Sequence, residues 1–128
     1  QASVSFMFYL FRAMETAGCY EETDTQWNRW REMVDKHLTT CVENDTDERS
    51  DCHAWASLAL YELPSVVLGV RPVKPGFAQV HIEPQMGAFT QASGEIITPK
   101  GMVHVEWKKR EDGICEMNYT VPDGIEAV

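Results

Sequence analysis

The apolar residues of this chain change their period near residue 70, and that switch constrains the fold more than any other feature of the sequence. Upstream they recur at helical spacing; downstream they alternate. In "SVSFMFYLFRAMETAG", Val4, Phe8 and Phe11 make one stripe that Glu15 ends. Phe6, Met7, Tyr9 and Leu10 are apolar as well, so this helix is expected to be buried on most faces. Gly18 is a natural left-handed stop. In "EETDTQWNRWREMVDKHL", Thr23 and Gln26 have capping-box spacing. Trp27, Trp30, Val34 and Leu38 share one stripe against polar Asn28, Arg29, Arg31, Glu32 and Asp35. A third helix is expected to start at Ser50 or Asp51, either of which can cap it, and to run through "CHAWASLALYELPSVVLG". Pro64 should bend or divide it, and Gly69 should end it. An all-buried helix beside an amphipathic one suits the inner and outer helices of an α/α-barrel, and equally any two helices of a large bundle.

Past the switch, "RPVKPGF" has the Pro and Gly content of a linker. "AQVHIEP" alternates through Val80 and Ile82. "GMVHVEWKK" sets Val103, Val105 and Trp107 against His104, Glu106 and Lys108, and "ICEMNYTV" repeats the pattern with Cys115, Met117, Tyr119 and Val121. "TPKG" and "EDG" are the turns between them. The expectation is an antiparallel sheet with one wet face, folded as a β-sandwich. "VPDGIEAV" opens a further turn and strand. The chain thus reads as α+β: the end of a helical domain over residues 1–69 and most of a β-domain over 70–128. It begins inside a helical pattern without Met, so it reads as a piece of a longer chain, with any targeting segment upstream.

Twenty acids against 11 bases give a net charge of −9, which argues against nucleic acid and anionic membranes as partners, since both need a basic patch. An acidic chain suits a neutral substrate such as a sugar. No apolar run approaches the ~20 residues of a spanning helix. Cys19, Cys41, Cys52 and Cys115 show no C-x-x-C spacing, so neither a structural zinc nor any other metal is expected. They read as free buried thiols, which fix no compartment. The sequence calls for no cofactor.

The stretch that carries chemistry is "LTTCVENDTDERSDCHAW", residues 38–55. Glu43 follows the second helix between Val42 and Asn44, where a carboxylate can face a cleft and act as a general base. His53 can hydrogen-bond hydroxyls, and the Trp55 ring can stack on a sugar. On a regular helix the two would point about 200° apart, at ~100° per residue, so only one would face a given site. The bland alternatives are a solvated loop glutamate, a structural histidine and a core tryptophan. Asp45, Asp47, Glu48 and Asp51 read as a solvated rim, with Arg49 available to pair with any of them.

The ordered set "LTTCVEN", "RSDCHAW" and "YELPSVVLGVRPVKPGFAQVHIEPQMGAFTQASGEIITPKGMVHVEW" resembles the C-terminal part of bacterial family-78 glycoside hydrolases, the inverting α-L-rhamnosidases. The family's T-T-x-x-E, S-D-C-H-A-W-like and L-G-V-x-P-x-x-P-G-F segments occur in that order here, and the likeness runs from Val4 to about Trp107. It implies that residues 1–69 end an (α/α)6 barrel and that a C-terminal antiparallel β-sandwich follows. It implies hydrolysis of terminal α-linked L-rhamnose from glycans or glycosides, by an acid that protonates the leaving oxygen and a base that activates water. Glu43 matches the base, His53 a histidine that contacts a sugar hydroxyl, and Trp55 falls in the same motif. Two departures stand out. Position 41 is Cys where relatives often have an aromatic residue. No segment matches the family's general acid or its accompanying aspartates, so the isolated chain should be inactive. Its partner would be the upstream part of its own protein, or a second copy covering Phe6, Phe8, Trp27 and Trp30. Two other readings compete: a non-catalytic helical and β-sandwich module that supports a neighbour or binds carbohydrate, and an (α/α)6 enzyme of different sugar specificity. A sandwich-borne sugar site would need exposed aromatics, and Trp107 alternates with Val103 and Val105 into the core.

Overall fold

The computed structural model describes residues 2–44 and 50–128, which divide into two compact units, Gln1–Tyr61 and Glu62–Val128. In the first, a 3-10 turn at Val4–Phe6 leads into α1, Met7–Ala17. The buried stripe is Val4, Met7 and Phe11. Met7 takes the place expected of Phe8, which lies one step round the helix and is exposed, as are Phe6 and Tyr9. Helix α1 is therefore covered on one side only, not on most faces. Gly18 ends it in the left-handed conformation (φ 70°), with its own N–H donating to Glu15 and that of Cys19 to Met14, which satisfies two terminal carbonyls.

Helix α2, Asp24–Asp35, buries Trp27, Trp30 and Met33. Val34 is exposed, and Leu38 lies beyond the helix end and is exposed too. Phe11 is the hub of the packing, with ring centroids 5.3 Å from Trp27, 6.1 Å from Trp30 and 6.2 Å from Tyr20. The Trp30 indole donates to the Ala56 carbonyl at 2.8 Å. Trp27 and Trp30 are consequently not part of an uncovered face; this unit closes over them itself. Nor does the capping box form. Thr23 ends a preceding 3-10 turn, Tyr20–Thr23, with helical φ and ψ, and its hydroxyl donates back to Tyr20 at 2.7 Å rather than forward.

The expected third helix is broken into short pieces. Among the described residues no helix starts at Ser50 or Asp51: the Ser50 carbonyl accepts from the Glu43 N–H, and the Asp51 carbonyl from the Thr40 hydroxyl. A 3-10 turn at Ala54–Ala56 and one turn of helix, α3 (Ala59–Glu62), precede a π turn at Leu63–Val67. Pro64 explains the π turn. It has no N–H for the ladder, and the next bond forms with wider register, from Leu68 N–H to Leu63 at 2.8 Å.

In the second unit β1 (Val70–Pro72) pairs antiparallel with β2 (Gln79–Ile82), and β6 (Glu126–Ala127) pairs with β2 in parallel. The expected linker is thus a strand followed by a tight turn at Pro75–Phe77, and the expected all-antiparallel pairing fails at β6. The other sheet is a meander of β3 (Gln91–Thr98), β4 (Gly101–Lys109) and β5 (Cys115–Thr120). Its turns fall at "TPKG" and "EDG", where the sequence puts them. Val103, Val105 and Trp107 are buried, and His104, Glu106 and Lys108 share the wetter face. There Glu95 sits directly opposite His104 at 3.9 Å.

Trp107 also closes the π turn, since its indole donates to the Val67 carbonyl at 3.0 Å. Trp107→Phe keeps an apolar ring but orphans that buried carbonyl, so it is expected to lower unfolding stability by about 1–3 kcal/mol. Urea unfolding followed by circular dichroism measures this, and a loss under ~0.5 kcal/mol would mean the bond contributes nothing net. All four cysteines are free, and none is fully buried: Cys19, Cys41 and Cys115 are half-buried and Cys52 is exposed. Among the described residues no helix is long and apolar enough to cross a membrane.

Candidate active site

Glu43 and His53 are joined through their backbones before their side chains meet. The His53 N–H donates to Cys41 at 2.8 Å, and the Glu43 N–H donates to Ser50 at 2.9 Å. With the Thr40 hydroxyl on the Asp51 carbonyl, these bonds lace residues 40–43 to 50–53. A third backbone bond, from the Val4 N–H to the Glu43 carbonyl at 2.8 Å, ties the lacing to the start of α1. Glu43 is thus held at both its N–H and its C=O, in a segment with no regular secondary structure of its own. Asp45, Asp47 and Glu48 of the expected rim, and Arg49, expected to pair with it, lie outside the described residues.

The side chains converge. Glu43 Oε2 lies 4.0 Å from His53 Nδ1, with side-chain exposures of 16% and 27%. That is too long for a hydrogen bond and suits a single bridging water. His53 has extended backbone angles (φ −107°, ψ 104°) and precedes the 3-10 turn, so the opposed directions expected on a regular helix do not apply. Its ring meets that of Trp55 edge-on at 6.5 Å and 77°. Trp55 is not core: it is 75% exposed. The structure therefore brings all three expected residues into one neighbourhood, with the carboxylate and imidazole half-sheltered and the indole open.

The sequence reading missed what surrounds Trp55. A cleft of about 340 Å³ is lined by Trp55, Phe8, Tyr9, Tyr61, Leu58 and Ser5 among others. The Phe8 and Tyr61 rings lie 6.0 Å apart, tilted by 58°, and the Arg12 guanidinium lies 5.8 Å from each ring while pairing with Glu15. The signal was present in the surplus of aromatics on α1, which pointed to burial rather than to an open wall. An indole and two phenols in one cleft can stack on apolar ring faces and hydrogen-bond hydroxyls, and the Trp55 ring links that cleft to His53, which does not itself line it. Among the described residues no three His, Cys, Asp or Glu side chains gather to hold a metal.

Residues 69–128 match the family model described as the bacterial alpha-L-rhamnosidase C-terminal domain. An alpha-L-rhamnosidase of Alteromonas sp. (strain LOR) is 40% identical over 105 residues, a match covering 80% of this chain and 11% of that protein. Among solved structures, the GH78 family rhamnosidase of Bacillus sp. GL1 superposes with a TM-score of 0.75 at 28% identity, over 98% of this chain and 16% of its own. An alpha-L-rhamnosidase from Dictyoglumus thermophilum (TM-score 0.75, 24% identity, 93% of this chain and 15% of its own) shares the fold. So does the Streptomyces avermitilis alpha-L-rhamnosidase complexed with L-rhamnose (TM-score 0.71, 23% identity, 92% of this chain and 13% of its own). The chain spans about a tenth to a sixth of the length of these relatives. The chain is thus similar to family-78 α-L-rhamnosidases over nearly its whole length, and its residues 69–128 match the bacterial α-L-rhamnosidase C-terminal domain.

Proposed function

We propose that the full-length protein removes terminal α-L-rhamnose from glycans or glycosides with inversion of configuration, and that Glu43 of this chain is its general base. In this reading the helices of residues 1–69 end an (α/α)6 barrel, and residues 70–128 form a C-terminal β-sandwich. The observation that carries the proposal is the meeting of a backbone-clamped carboxylate and an imidazole at 4.0 Å beside an exposed indole. Glu43 would accept a proton from a water attacking the anomeric carbon, opposite a general acid contributed from elsewhere in the protein. The two carboxyl groups of an inverting pair stand roughly 6.5–9.5 Å apart, which leaves room for that water. His53, within water-bridging reach of Glu43, orients the water or a sugar hydroxyl, and Trp55 stacks on the sugar face. The non-catalytic alternative loses ground because Trp107, the aromatic residue it would use, is buried and hydrogen-bonded to Val67.

The test is stereochemical. The full-length protein is given an aryl α-L-rhamnoside, and the first-formed sugar is read by proton NMR before mutarotation. The β anomer is expected. No turnover, or the α anomer first, would remove the proposal. The 128-residue chain alone is expected to give no turnover, since none of its segments matches the family's general acid.

A further inference from the structure

Arg29 sits on α2 with only 8% of its surface exposed, an uncommon depth for a guanidinium. Its Nη1 donates to the Ala2 carbonyl at 2.8 Å, so a buried charged donor is spent on the backbone at the start of the helical unit. Two residues on, the Val4 side chain is wholly buried and its N–H donates to the Glu43 carbonyl at 2.8 Å. Residues 2–4 are therefore a short strap, fixed at one end by Arg29 and at the other by Val4 in the core. Val4 also supplies one of the two backbone anchors of Glu43, the other being the Ser50 carbonyl.

We propose that Arg29 is a positioning residue for Glu43, acting through the Ala2–Val4 strap. This rests on the assignment of Glu43 as the base. A base must lie within hydrogen-bond reach of its water, and an error near 1 Å can lower the rate by about 10²-fold. Val4 Cα follows Ala2 across two peptide units, so release of the Ala2 carbonyl lets the strap shift and the Glu43 carbonyl with it. Arg29 itself opens toward Lys36, Thr40 and Asn44 rather than toward the aromatic cleft, so substrate affinity should not depend on it.

The experiment is a double-mutant cycle in the full-length protein, with kcat and KM measured on an aryl α-L-rhamnoside and folding checked by near-UV circular dichroism. Arg29→Met is expected to lower kcat by about 10- to 100-fold with KM within about 3-fold. Arg29→Lys, which can still donate to Ala2, is expected to recover most of that loss. Added to Glu43→Gln, Arg29→Met is expected to change kcat less than about 2-fold, because a residue that acts only by aiming Glu43 has nothing left to aim. An additive further loss, a loss lodged in KM, or unchanged kcat in a folded Arg29→Met protein would each overturn the inference. If Arg29→Met does not fold, Arg29→Gln, which is polar but too short to reach the Ala2 carbonyl, takes its place in the same additivity test. Should Glu43→Gln alone leave kcat nearly intact, the general-base assignment fails, a result separable from the failure of Arg29 to act through it.

Discussion

Glu43→Gln in the full-length protein is expected to lower kcat on an α-L-rhamnoside by at least about 10²-fold, with KM changed far less. The substitution keeps the size and planarity of the side chain and removes only the ability to take a proton from water. Its effect on the backbone that holds residue 43 is expected to be small. The three bonds that lace Glu43 into place with Val4, Ser50 and the neighbouring Cys41–His53 contact belong to the backbone, so the amide leaves them untouched. The side chain's 4.0 Å separation from His53 is longer than a hydrogen bond, so little direct attraction is lost. The sugar contacts proposed for His53 and Trp55 should persist, which is why the loss belongs in kcat. Steady-state kinetics on the two proteins, matched by circular dichroism, decide it. A folded Glu43→Gln protein that keeps more than about a hundredth of the parent kcat would rule out an essential base at this position.

What was legible in the sequence follows from how local each signal is. Strand alternation in Val103, Val105 and Trp107 is a two-residue period that a sheet preserves once one face is covered, and those residues are buried as expected. The turn at Gly18 needs only its own φ, and it forms. The stripe on α1 went wrong by one position because its first five residues, Met7 to Phe11, are all apolar, and composition without contrast does not define a face. Met7 rather than Phe8 turned inward. The third helix failed for a tertiary reason: backbone groups of residues 50–53 that a helix would use are bonded to residues 40–43. That lacing also explains the site. It takes His53 out of helical geometry, so that its ring lies near both Glu43 and Trp55, where helical spacing would set His53 and Trp55 about 200° apart. The parallel bond of β6 to β2 had no sequence signal, since a two-residue strand carries too little alternation to reveal its direction.

Gly69→Ala is expected to destabilise the β unit by roughly 3 kcal/mol or more, a large share of the stability of a domain this size. Gly69 follows the π turn and opens β1, with φ +90°. A Cβ there would lie 2.4 Å from the Glu83 carbonyl carbon and the Pro84 nitrogen, and 2.6 Å from the Glu83 oxygen. These are main-chain atoms, so no rotamer change relieves the overlap. The backbone of residues 83–84 must move, and with it the bond from the Glu83 N–H to the Gly69 carbonyl at 2.9 Å. That bond adjoins the Val70–Ile82 pair that starts the β1–β2 register, so the displacement reaches the sheet. The left-handed conformation adds about 1–2 kcal/mol for any residue with a Cβ. Gly113 supplies the control. It has φ +83° in the turn between β4 and β5 and nothing within 4 Å of its Cβ position, so Gly113→Ala should show the conformational part alone, about 1–2 kcal/mol. Urea unfolding of the two variants beside the parent separates backbone strain from steric exclusion. Equal losses for the two would mean that the close approach of Gly69 to Glu83 and Pro84 does not hold β1 in place.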